Sequence, residues 1–309
     1  MIIGSIEIQP SMEPAECLVD PSPTRSGHIW HGGKMIPYKI DDHRSRDDRP
    51  ASLVVVPYYN AAPWVGDCLA ALAANDEPHD ILIVDDGSRP CFQAIAPADN
   101  LVVCRFERNA GLITALNFAA SFALAQRYRY YVRQDADDFS RPERLRLQRE
   151  AIEREQADLV VSGVRAVDES GRLLWHGRMD IDATAFRNML ATRNPAVHST
   201  WFLRTDVFAR IGCYDERFKG AEDFEFLQRI ARGGRISIVP EELVDYQVRT
   251  RSILSSSKEP AVQTLRIVLR YFDPNRLASY IGVVRAASAA ILSRRLKVAA
   301  RDLLRRFKQ

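Results

Sequence analysis

The sequence predicts an α/β protein with a mostly parallel central sheet flanked by helices. From Leu53 onward, short apolar runs rich in Val, Ile, Tyr and Phe alternate with longer stretches of helical periodicity. This alternation is typical of βαβ units, in which helices cover the faces of a parallel sheet. Polar and acidic residues directly follow several of the apolar runs. Ligands of α/β proteins bind at such carboxyl ends of strands, so the sequence also predicts a site there.

The predicted elements follow one another closely along the chain. Strands are predicted at residues 53–57, 81–84, 101–106, 130–132, 159–161 and 236–239. Helices are predicted at residues 64–74, 112–127 and 224–231, with a further piece near 91–97. Another helix is predicted to run from Ser140 to about Glu155, because Ser140 and Glu143 form a capping-box pattern with a proline in the first turn.

Periodicity and charge divide the chain into three predicted segments. Residues 1–50 have weak periodicity, several prolines and a charged end, which indicates an extension or linker with a short hairpin around Gly32 and Gly33. Residues 51–258 carry the α/β pattern. The segment 259–309 is predicted to be helical and basic, since positions 260–309 hold eleven basic and two acidic residues. The whole chain carries a formal net charge of only +3.

Composition limits the class of protein. With 309 residues, of which 46% are hydrophobic and 27% charged, the chain can form a soluble core large enough for an enzyme. Its scattered cysteines predict neither a disulfide framework nor a zinc site and favour a reducing compartment. We find no signal-peptide pattern and no apolar run long enough to span a bilayer. The sequence therefore predicts a cytoplasmic protein.

An acidic cluster follows the predicted strand at 130–132. Asp135, Asp137 and Asp138 stand within four residues, and their charges repel one another unless a cation lies among them. Mg²⁺ and Mn²⁺ prefer carboxylate oxygens, and Mg²⁺ in particular binds through one or two of them together with substrate phosphates. Two interpretations of the cluster alone remain open. One is a metal–phosphate site, and the other is a solvated turn that also caps the next helix.

Three further strand ends carry candidate residues. The first, at residues 57–60, reads Pro-Tyr-Tyr-Asn and is either a ligand loop or a turn. At the second, Asp85 and Asp86 precede Gly87, and a carboxylate there can accept from a base or a ribose hydroxyl, although Asp-Gly is also a common turn. At the third, Asn109 and Gly111 open a helix, either as a phosphate-binding N-terminus or with Asn109 as a plain N-cap.

A last candidate lies at the start of the helix predicted at 224–231. Glu222 and Asp223 follow a glycine there. Asp223 is either a general base or a carboxylate favoured by the helix dipole.

The order and spacing of these motifs resemble the glycosyltransferases of family 2, over roughly residues 52–255. The motifs that carry the resemblance are Pro57 to Asn60, Asp85 to Ser88, Asn109 to Gly111, Asp135 to Asp138 with Pro142 to Leu145, His198 to Trp201, Gly212 to Asp215, Glu222 with Asp223, and Tyr246 to Ser252. Each motif is short, but the ordered set is specific. The resemblance implies a GT-A fold, which is Rossmann-like, with a nucleotide-binding half followed by an acceptor-binding half.

The resemblance also implies roles for individual residues on the donor side. Asp86 would recognise the uracil ring, Asp85 would support the loop that carries Asp86, and Asp135 would contact the ribose or the sugar. In the D-x-D pair, Asp137 would hold a divalent metal, Mn²⁺ or Mg²⁺, on the diphosphate. The remaining implied nucleotide contacts are Pro57, Tyr58, Asn60, Asn109 and Gly111.

On the acceptor side, the resemblance places Asp223 at the position of the catalytic base. His198, Trp201 and Glu222 would lie near the acceptor. One departure from the family is visible, because Arg249 stands where members often have a histidine that approaches the metal or the diphosphate. A guanidinium stays protonated and cannot ligate a metal, but it can neutralise diphosphate oxygens.

The implied activity is inverting, metal-dependent transfer of a sugar from a nucleotide-diphosphate donor, which the resemblance suggests is a UDP-sugar. The acceptor would be a hydroxyl of a glycan or a lipid-linked molecule, in the synthesis of cell-surface polysaccharide. An alternative is a catalytically silent member of the same fold that binds a nucleotide or a glycan. A dinucleotide oxidoreductase and a P-loop kinase are disfavoured, since neither G-x-G-x-x-G after a strand nor G-K-[ST] occurs.

The C-terminal tail combines an apolar stripe with basic residues. Apolar side chains recur at helical spacing at Leu292, Leu296, Ala299, Leu303 and Phe307. Such a basic amphipathic helix suits the anionic inner face of a membrane, and packing on the body or a helical dimer contact are the alternatives. Nucleic-acid binding is disfavoured because the tail lacks interleaved aromatics and residues 51–259 are mildly acidic.

Overall fold

A computed structural model describes residues 26–31, 33–45, 49–93, 99–249 and 259–291. These residues contain one mixed sheet of eleven strands with helices on both faces. The strands are β1 (Ser26–His31), β2 (Lys34–Asp42), β3 (Ser52–Tyr58), β4 (His79–Asp85), β5 (Leu101–Phe106), β6 (Tyr130–Arg133), β7 (Phe139–Ser140), β8 (Leu159–Val167), β9 (Leu173–Gly177), β10 (Phe202–Arg204) and β11 (Ile236–Gln247).

The helices that cover this sheet are α1 (Ala62–Ala73), α2 (Leu112–Ala125), α3 (Arg144–Arg154), α4 (Ala183–Leu190), α5 (Asp206–Ile211), α6 (Glu222–Gly233), α7 (Glu259–Arg270) and α8 (Leu277–Ile291). The predicted α/β class is confirmed, and each strand predicted from an apolar run is present. The piece predicted near 91–97 is not helical at residues 91–93, and residues 94–98 lie outside the described part of the chain.

Four parallel strands form the centre of the sheet, in the order β5-β4-β3-β6. In this register Val54 of β3 lies opposite Ile81 of β4 and Val132 of β6. Strand β10 then pairs antiparallel with both β6 and β8, and β11 runs parallel to β8. The carboxyl ends of β3, β4 and β6 therefore meet at one edge, which brings their loops together.

The sheet separates two apolar layers. Because side chains alternate along a strand, Leu53 and Val55 of β3 point to one face while Val54 and Val56 point to the other. Helix α2 packs on the first face, with ten of its fourteen residues buried. Helices α1 and α3 pack on the second face. Both faces are thus covered, which explains why the central strands read as continuous apolar runs.

The amino-terminal segment departs from the expected linker. Strands β1 and β2 form a hairpin where one was predicted, and β2 pairs with β5, for example Ile40 with Cys104. Residues 26–42 therefore extend the central sheet. The turn was visible in the sequence as paired glycines, but the pairing with β5 is a long-range contact that local periodicity does not encode.

One further local prediction was wrong. Ser140 does not cap α3, because it lies in β7 and its hydroxyl donates to Asn75 Oδ1 over 3.4 Å; α3 begins at Arg144 without a side-chain cap. The strand pairing of β7 with β11 overrides the local capping pattern. Cys213 is disulfide-bonded, although the scattered cysteines favour a reducing compartment. Cys68, Cys91 and Cys104 are free thiols.

The predicted basic helical segment begins as two helices, α7 and α8. Its apolar stripe from residue 292 onward lies outside the described residues. Within the part of the chain that the structure describes, we find no helix both long enough and apolar enough to cross a bilayer.

Candidate active site

The loop after β4 is built around two aspartates with different partners. Asp85 stays within its own loop, where it accepts from the backbone N–H of Ser88 (2.9 Å) and of Phe92 (2.7 Å). Asp86 instead reaches the loop before α2, where it accepts from Ala110 N (2.6 Å) and Gly111 N (2.8 Å). Asp86 therefore joins two of the loops that carry the sequence motifs.

Asn109 is held by the same carboxylate and is not an N-cap. Its Nδ2 donates to Asp86 Oδ2 over 2.8 Å, and the cap position of α2 is Gly111. Burial raises the pKa of Asp86 to about 6, although the two backbone N–H groups favour its charged form. The Asp86 carboxylate is thus a buried, fully positioned hydrogen-bonding group at the end of β4.

Gly87 makes this arrangement possible through close packing. Its φ is +70°, and a Cβ at this position would lie only 2.4 Å from the carbonyl carbon of Arg108. No larger residue fits without moving the neighbouring loop. The motif glycine is therefore required where two loops approach each other.

The loop after β3 is tied to the loop after β4. Asn60 donates its backbone N–H to Ser88 Oγ (2.9 Å), and its side-chain oxygen accepts from Arg89 N (3.1 Å). Pro57 lies at the end of β3, half-buried. Tyr58 is buried edge-on against Phe92, whereas Tyr59 is 48% exposed. The ring available to a ligand in this loop is thus that of Tyr59, which the motif comparison did not single out.

The acidic cluster forms the turn between β6 and β7. Its first carboxylate, that of Asp135, is paired with an arginine. Asp135 accepts from the buried Arg133 guanidinium over 2.5 Å and from Ser199 Oγ over 2.8 Å. Burial raises the pKa of Asp135, but Arg133 and these hydrogen bonds outweigh burial and lower it below the usual value. Asp135 is therefore held ionised without a metal.

Asp137 lies in a different environment, facing the end of β11. Arg249 Nη2 contacts Asp137 Oδ2 at 2.5 Å, and the same guanidinium stacks on the ring of Trp64 at 4.6 Å from its centre. Burial and the charge of Asp135 raise the pKa of Asp137, while Arg249 opposes that rise. The residue that departs from the family pattern thus contacts the candidate metal-binding carboxylate directly.

Asp138 is buried beneath the turn. One of its oxygens accepts from Gln247 N over 2.9 Å, and the other, Oδ2, has no hydrogen-bond partner. Burial raises the pKa of Asp138 well above the usual value. Below it, the wholly buried Arg144 donates to Gln134 Oε1 (2.6 Å) and to the carbonyl of Arg133 (2.8 Å), which fixes the strand that carries the cluster.

The cluster fits a divalent metal only together with a diphosphate. Among the described residues there is no group of three or more His, Cys, Asp and Glu side chains that could hold a metal alone. Asp137 supplies one partly exposed carboxylate, whereas the Asp138 oxygen without a hydrogen-bond partner is buried in the same turn. Mg²⁺ commonly binds through one or two carboxylates, with waters and phosphates completing its six ligands. The donor set matches that mode.

Asp223 lies in the first turn of α6. Its Oδ1 accepts from Phe224 N (2.7 Å), and its Oδ2 accepts from Asn194 Nδ2 (2.7 Å). Burial raises the pKa of Asp223 to about 7, and the neighbouring charge of Glu222 adds to this rise. A carboxylate with this pKa can take up a proton near neutral pH.

The three predicted acceptor contacts are all buried. Trp201 is completely buried against His198, at 4.7 Å between ring centres, so the structure does not support an acceptor contact for Trp201. His198 Nε2 is hydrogen-bonded to Tyr214 OH (3.0 Å), and burial lowers its pKa, so the imidazole stays neutral inside the core. Glu222 is 7% exposed and accepts from Gly220 N (2.7 Å).

Several residues that position the site were not identified from the sequence. Arg133 and Ser199 hold Asp135, Asn194 holds Asp223, and Trp64 stacks on Arg249. Arg133 directly precedes the acidic cluster, so its charge was a visible signal. Asn194 is 29 residues from its partner, and nothing in the sequence relates the two.

Comparisons with known proteins agree with this geometry. The model of glycosyl transferase family 2 matches residues 53–212. The succinoglycan biosynthesis protein ExoO of Rhizobium meliloti is 28% identical over 226 residues, which cover 67% of this chain and 63% of that protein. An uncharacterized glycosyltransferase of Rickettsia typhi is 23% identical over 215 residues, or 64% of each chain. The chain thus spans less than two thirds of the length of these relatives.

Solved structures share the fold. TarS of S. aureus in complex with UDP-GlcNAc superposes with a TM-score of 0.58, at 19% identity, over 77% of this chain and 72% of that one. The mannosyltransferase PcManGT of Pyrobaculum calidifontis, in complex with GDP-Man and Mn²⁺, gives a TM-score of 0.54 at 19% identity, over 84% and 81% of the two chains. The predicted GT-A architecture is confirmed.

Proposed function

The chain belongs to glycosyl transferase family 2, and we propose that it transfers a sugar from a nucleotide-diphosphate donor, a UDP-sugar, to a hydroxyl group with inversion at the anomeric carbon. The observation that carries this proposal is the environment of Asp223. Its pKa is raised to about 7, and two hydrogen bonds fix its carboxylate at the start of a helix. A general base works best when its pKa lies near the operating pH.

Asp223 acts as that base in a single displacement. Its carboxylate takes the proton of the acceptor hydroxyl while the hydroxyl oxygen forms a bond to the anomeric carbon. The bond from that carbon to the diphosphate breaks, and its electron pair stays on the diphosphate oxygen. Asn194 holds the carboxylate in place, so the base does not need to reorient. General-base catalysis of this kind contributes ~10²–10⁴ in rate.

The loops of the donor side bind the nucleotide. Asp86 is fixed by three hydrogen bonds to Asn109, Ala110 and Gly111, and it presents an acceptor to the base imide. The exposed ring of Tyr59 offers a stacking surface next to it. Asp135, held ionised by Arg133, accepts from hydroxyls of the ribose or the sugar.

The diphosphate lies at Asp137 and Arg249. A divalent metal bound by Asp137, Mn²⁺ or Mg²⁺, would supply positive charge to the leaving diphosphate. Arg249 carries a permanent positive charge at the same place, at 2.5 Å from Asp137. On donor binding its guanidinium turns from the carboxylate to the diphosphate oxygens and stabilises the charge that builds there.

The acceptor is a glycan or a lipid-linked glycan, and the site of action is the cytoplasmic face of the membrane. The names of two relatives, the succinoglycan biosynthesis proteins ExoO and ExoU of Rhizobium meliloti, support a role in cell-surface polysaccharide synthesis. The basic C-terminal sequence supports peripheral contact with anionic lipid.

The proposal is tested by incubating purified protein with UDP-sugars, each with and without Mn²⁺ or Mg²⁺, and measuring UDP release. GDP-mannose serves as a donor of the other nucleotide class. We expect release from one UDP-sugar, lost in Asp137→Ala together with affinity for UDP. Neither release nor binding of UDP would refute the UDP-sugar assignment.

A silent binding member of the fold is the second candidate, favoured by the ion pair that occupies Asp137. It predicts UDP binding without release for every donor and acceptor, and with equal affinity in the presence and absence of metal. Calorimetric titration of UDP with and without Mn²⁺ therefore distinguishes the two candidates.

A further inference from the structure

Helix α8 presents most of its large apolar residues outward and its small ones inward, while Val283 is partly buried against the core. The buried positions are Ser279, Gly282 and Ala286, which recur at steps of three and four on one face. Gly282 is in closest contact, because a Cβ there would lie 1.9 Å from the carbonyl oxygen of Ala191. The helix is thus held on the body by small residues that allow close approach of the two backbones.

The opposite face of α8 forms an exposed apolar stripe. Four members lie within the first two turns and a fifth lies two turns further on, with exposed fractions of 75% for Leu277, 50% for Tyr280, 53% for Ile281, 67% for Val284 and 76% for Ile291. An ordinary surface helix shows the reverse pattern, with its large apolar side chains facing the core. Contiguous exposed apolar surface of this kind marks an interaction site.

Charge identifies what this stripe contacts. The sequence contains no acidic residue between Asp273 and Asp302, whereas it contains Arg276, Arg285, Arg294, Arg295, Lys297 and Arg301. Arg285 is exposed along the side of α8, and Arg276, exposed just before the helix, pairs with Asp273 at 3.6 Å. Two copies of such a surface would repel each other. An apolar stripe with basic flanks is instead complementary to anionic lipid headgroups above an acyl layer.

We propose that the exposed stripe of α8 is a membrane-docking surface that inserts into the interfacial layer of an anionic bilayer. This surface lies on described residues, before the tail stripe that the sequence suggested. The position of this surface also bears on where the acceptor would bind, an inference that rests on the proposed function. The buried face of α8 packs on Ala191, three residues before Asn194, the partner of Asp223. Docking through α8 would therefore hold the segment that positions the proposed base one helix thickness away from the lipid surface.

Vesicle co-sedimentation of the full chain tests this proposal without any donor, so its outcome is independent of catalysis. The vesicles contain phosphatidylcholine alone or with phosphatidylglycerol. We expect binding to the anionic vesicles that weakens in high salt. The double variant Ile281→Gln and Val284→Gln should lower the partition coefficient at least ~10-fold, because each lost apolar side chain contributes to insertion.

A matched control replaces two exposed leucines elsewhere. Leu173→Gln with Leu174→Gln changes side chains that are 42% and 43% exposed on β9 and should leave vesicle binding unchanged. UDP release to a soluble acceptor and the thermal melting curve should be the same in all three proteins. Light scattering should give a monomer for the wild type.

Three results would overturn the proposal. The first is a wild-type protein that does not bind anionic vesicles. The second is equal binding by the α8 double variant, which would assign any membrane contact to the tail alone. The third is a wild-type dimer that the double variant converts to a monomer, which would assign the stripe to a second copy of the chain.

Discussion

The proposed donor and acceptor sides of the site are built in different ways. On the donor side the motif residues bind one another, as when Asp86 joins its own loop to the one that carries Asn109. On the acceptor side Asp223 depends on Asn194, which belongs to no motif. Motifs thus encode how the donor loops close on each other, whereas the proposed base depends on a residue outside the motifs. If this is right, the two sides should respond differently to substitution.

The largest effect is expected at Asp223. In Asp223→Asn the side chain keeps its shape but cannot take up a proton, so turnover should fall by ~10²–10⁴. Affinity for UDP should be unchanged, because the donor loops are intact. Initial rates and calorimetric titration of UDP measure the two quantities.

Asp206→Asn provides the control for this variant, since it removes an exposed carboxylate from the first turn of α5 and should leave both quantities unchanged. Turnover of Asp223→Asn within threefold of wild type would show that another group is the base.

The same contrast shows what the sequence could predict. The central strands could be located in the sequence because β3, β4 and β6 are buried on both faces and therefore consist of continuous apolar runs. The meeting of their acidic loops followed from parallel topology. The helix start predicted at Ser140 was wrong because the pairing of β7 with β11 overrides the local capping pattern. The raised pKa of Asp223 could not be predicted, since it depends on burial within the folded chain.

The next largest effect, a loss of UDP affinity, is expected at Arg249, on the proposed donor side. Arg249→Ala removes the cation beside Asp137 and should weaken UDP binding ~10–100-fold, the size of one or two charge-assisted hydrogen bonds. Uridine lacks the diphosphate, so its affinity should not change. Equal losses for UDP and uridine would mean that Arg249 acts on the fold and not on the diphosphate.

Arg172→Ala is the matched control, since it removes an exposed arginine whose partner is Asp168. Arg249→His sharpens the test further, because imidazole can ligate a metal. UDP binding in this variant should depend more strongly on Mn²⁺ than in the wild type.

A smaller effect is expected from the glycines that close the donor loops. Gly87→Ala combines positive φ with a 2.4 Å clash and should lower the free energy of unfolding by ~2–4 kcal/mol. Gly111→Ala also strains a positive φ, but nothing lies within 4 Å of its Cβ, so about 1–2 kcal/mol is expected. Urea denaturation measures both. A larger loss for Gly111→Ala would contradict the close-packing argument.

The smallest effect is a shift in pH dependence. Asp223 must be ionised to accept a proton, so kcat/KM should rise with pH through about 7. The hydrogen bond from Asn194 favours the ionised form of Asp223. Asn194→Ala should therefore move this ascending limb of the kcat/KM profile to higher pH. Asn100→Ala, which removes an amide bonded to the carbonyl of His79, should leave the limb in place. A limb that stays fixed in Asn194→Ala would exclude this contact from the tuning of the base.

The stereochemistry of transfer tests the central claim most directly. Proton NMR of the product, formed from the donor sugar that supports UDP release, reports the anomeric configuration of the new bond. A single displacement assisted by Asp223 predicts inversion, so that an α-linked UDP-sugar gives a β-glycoside. Retention of configuration would contradict the assignment of Asp223 as a general base and would require a different mechanism.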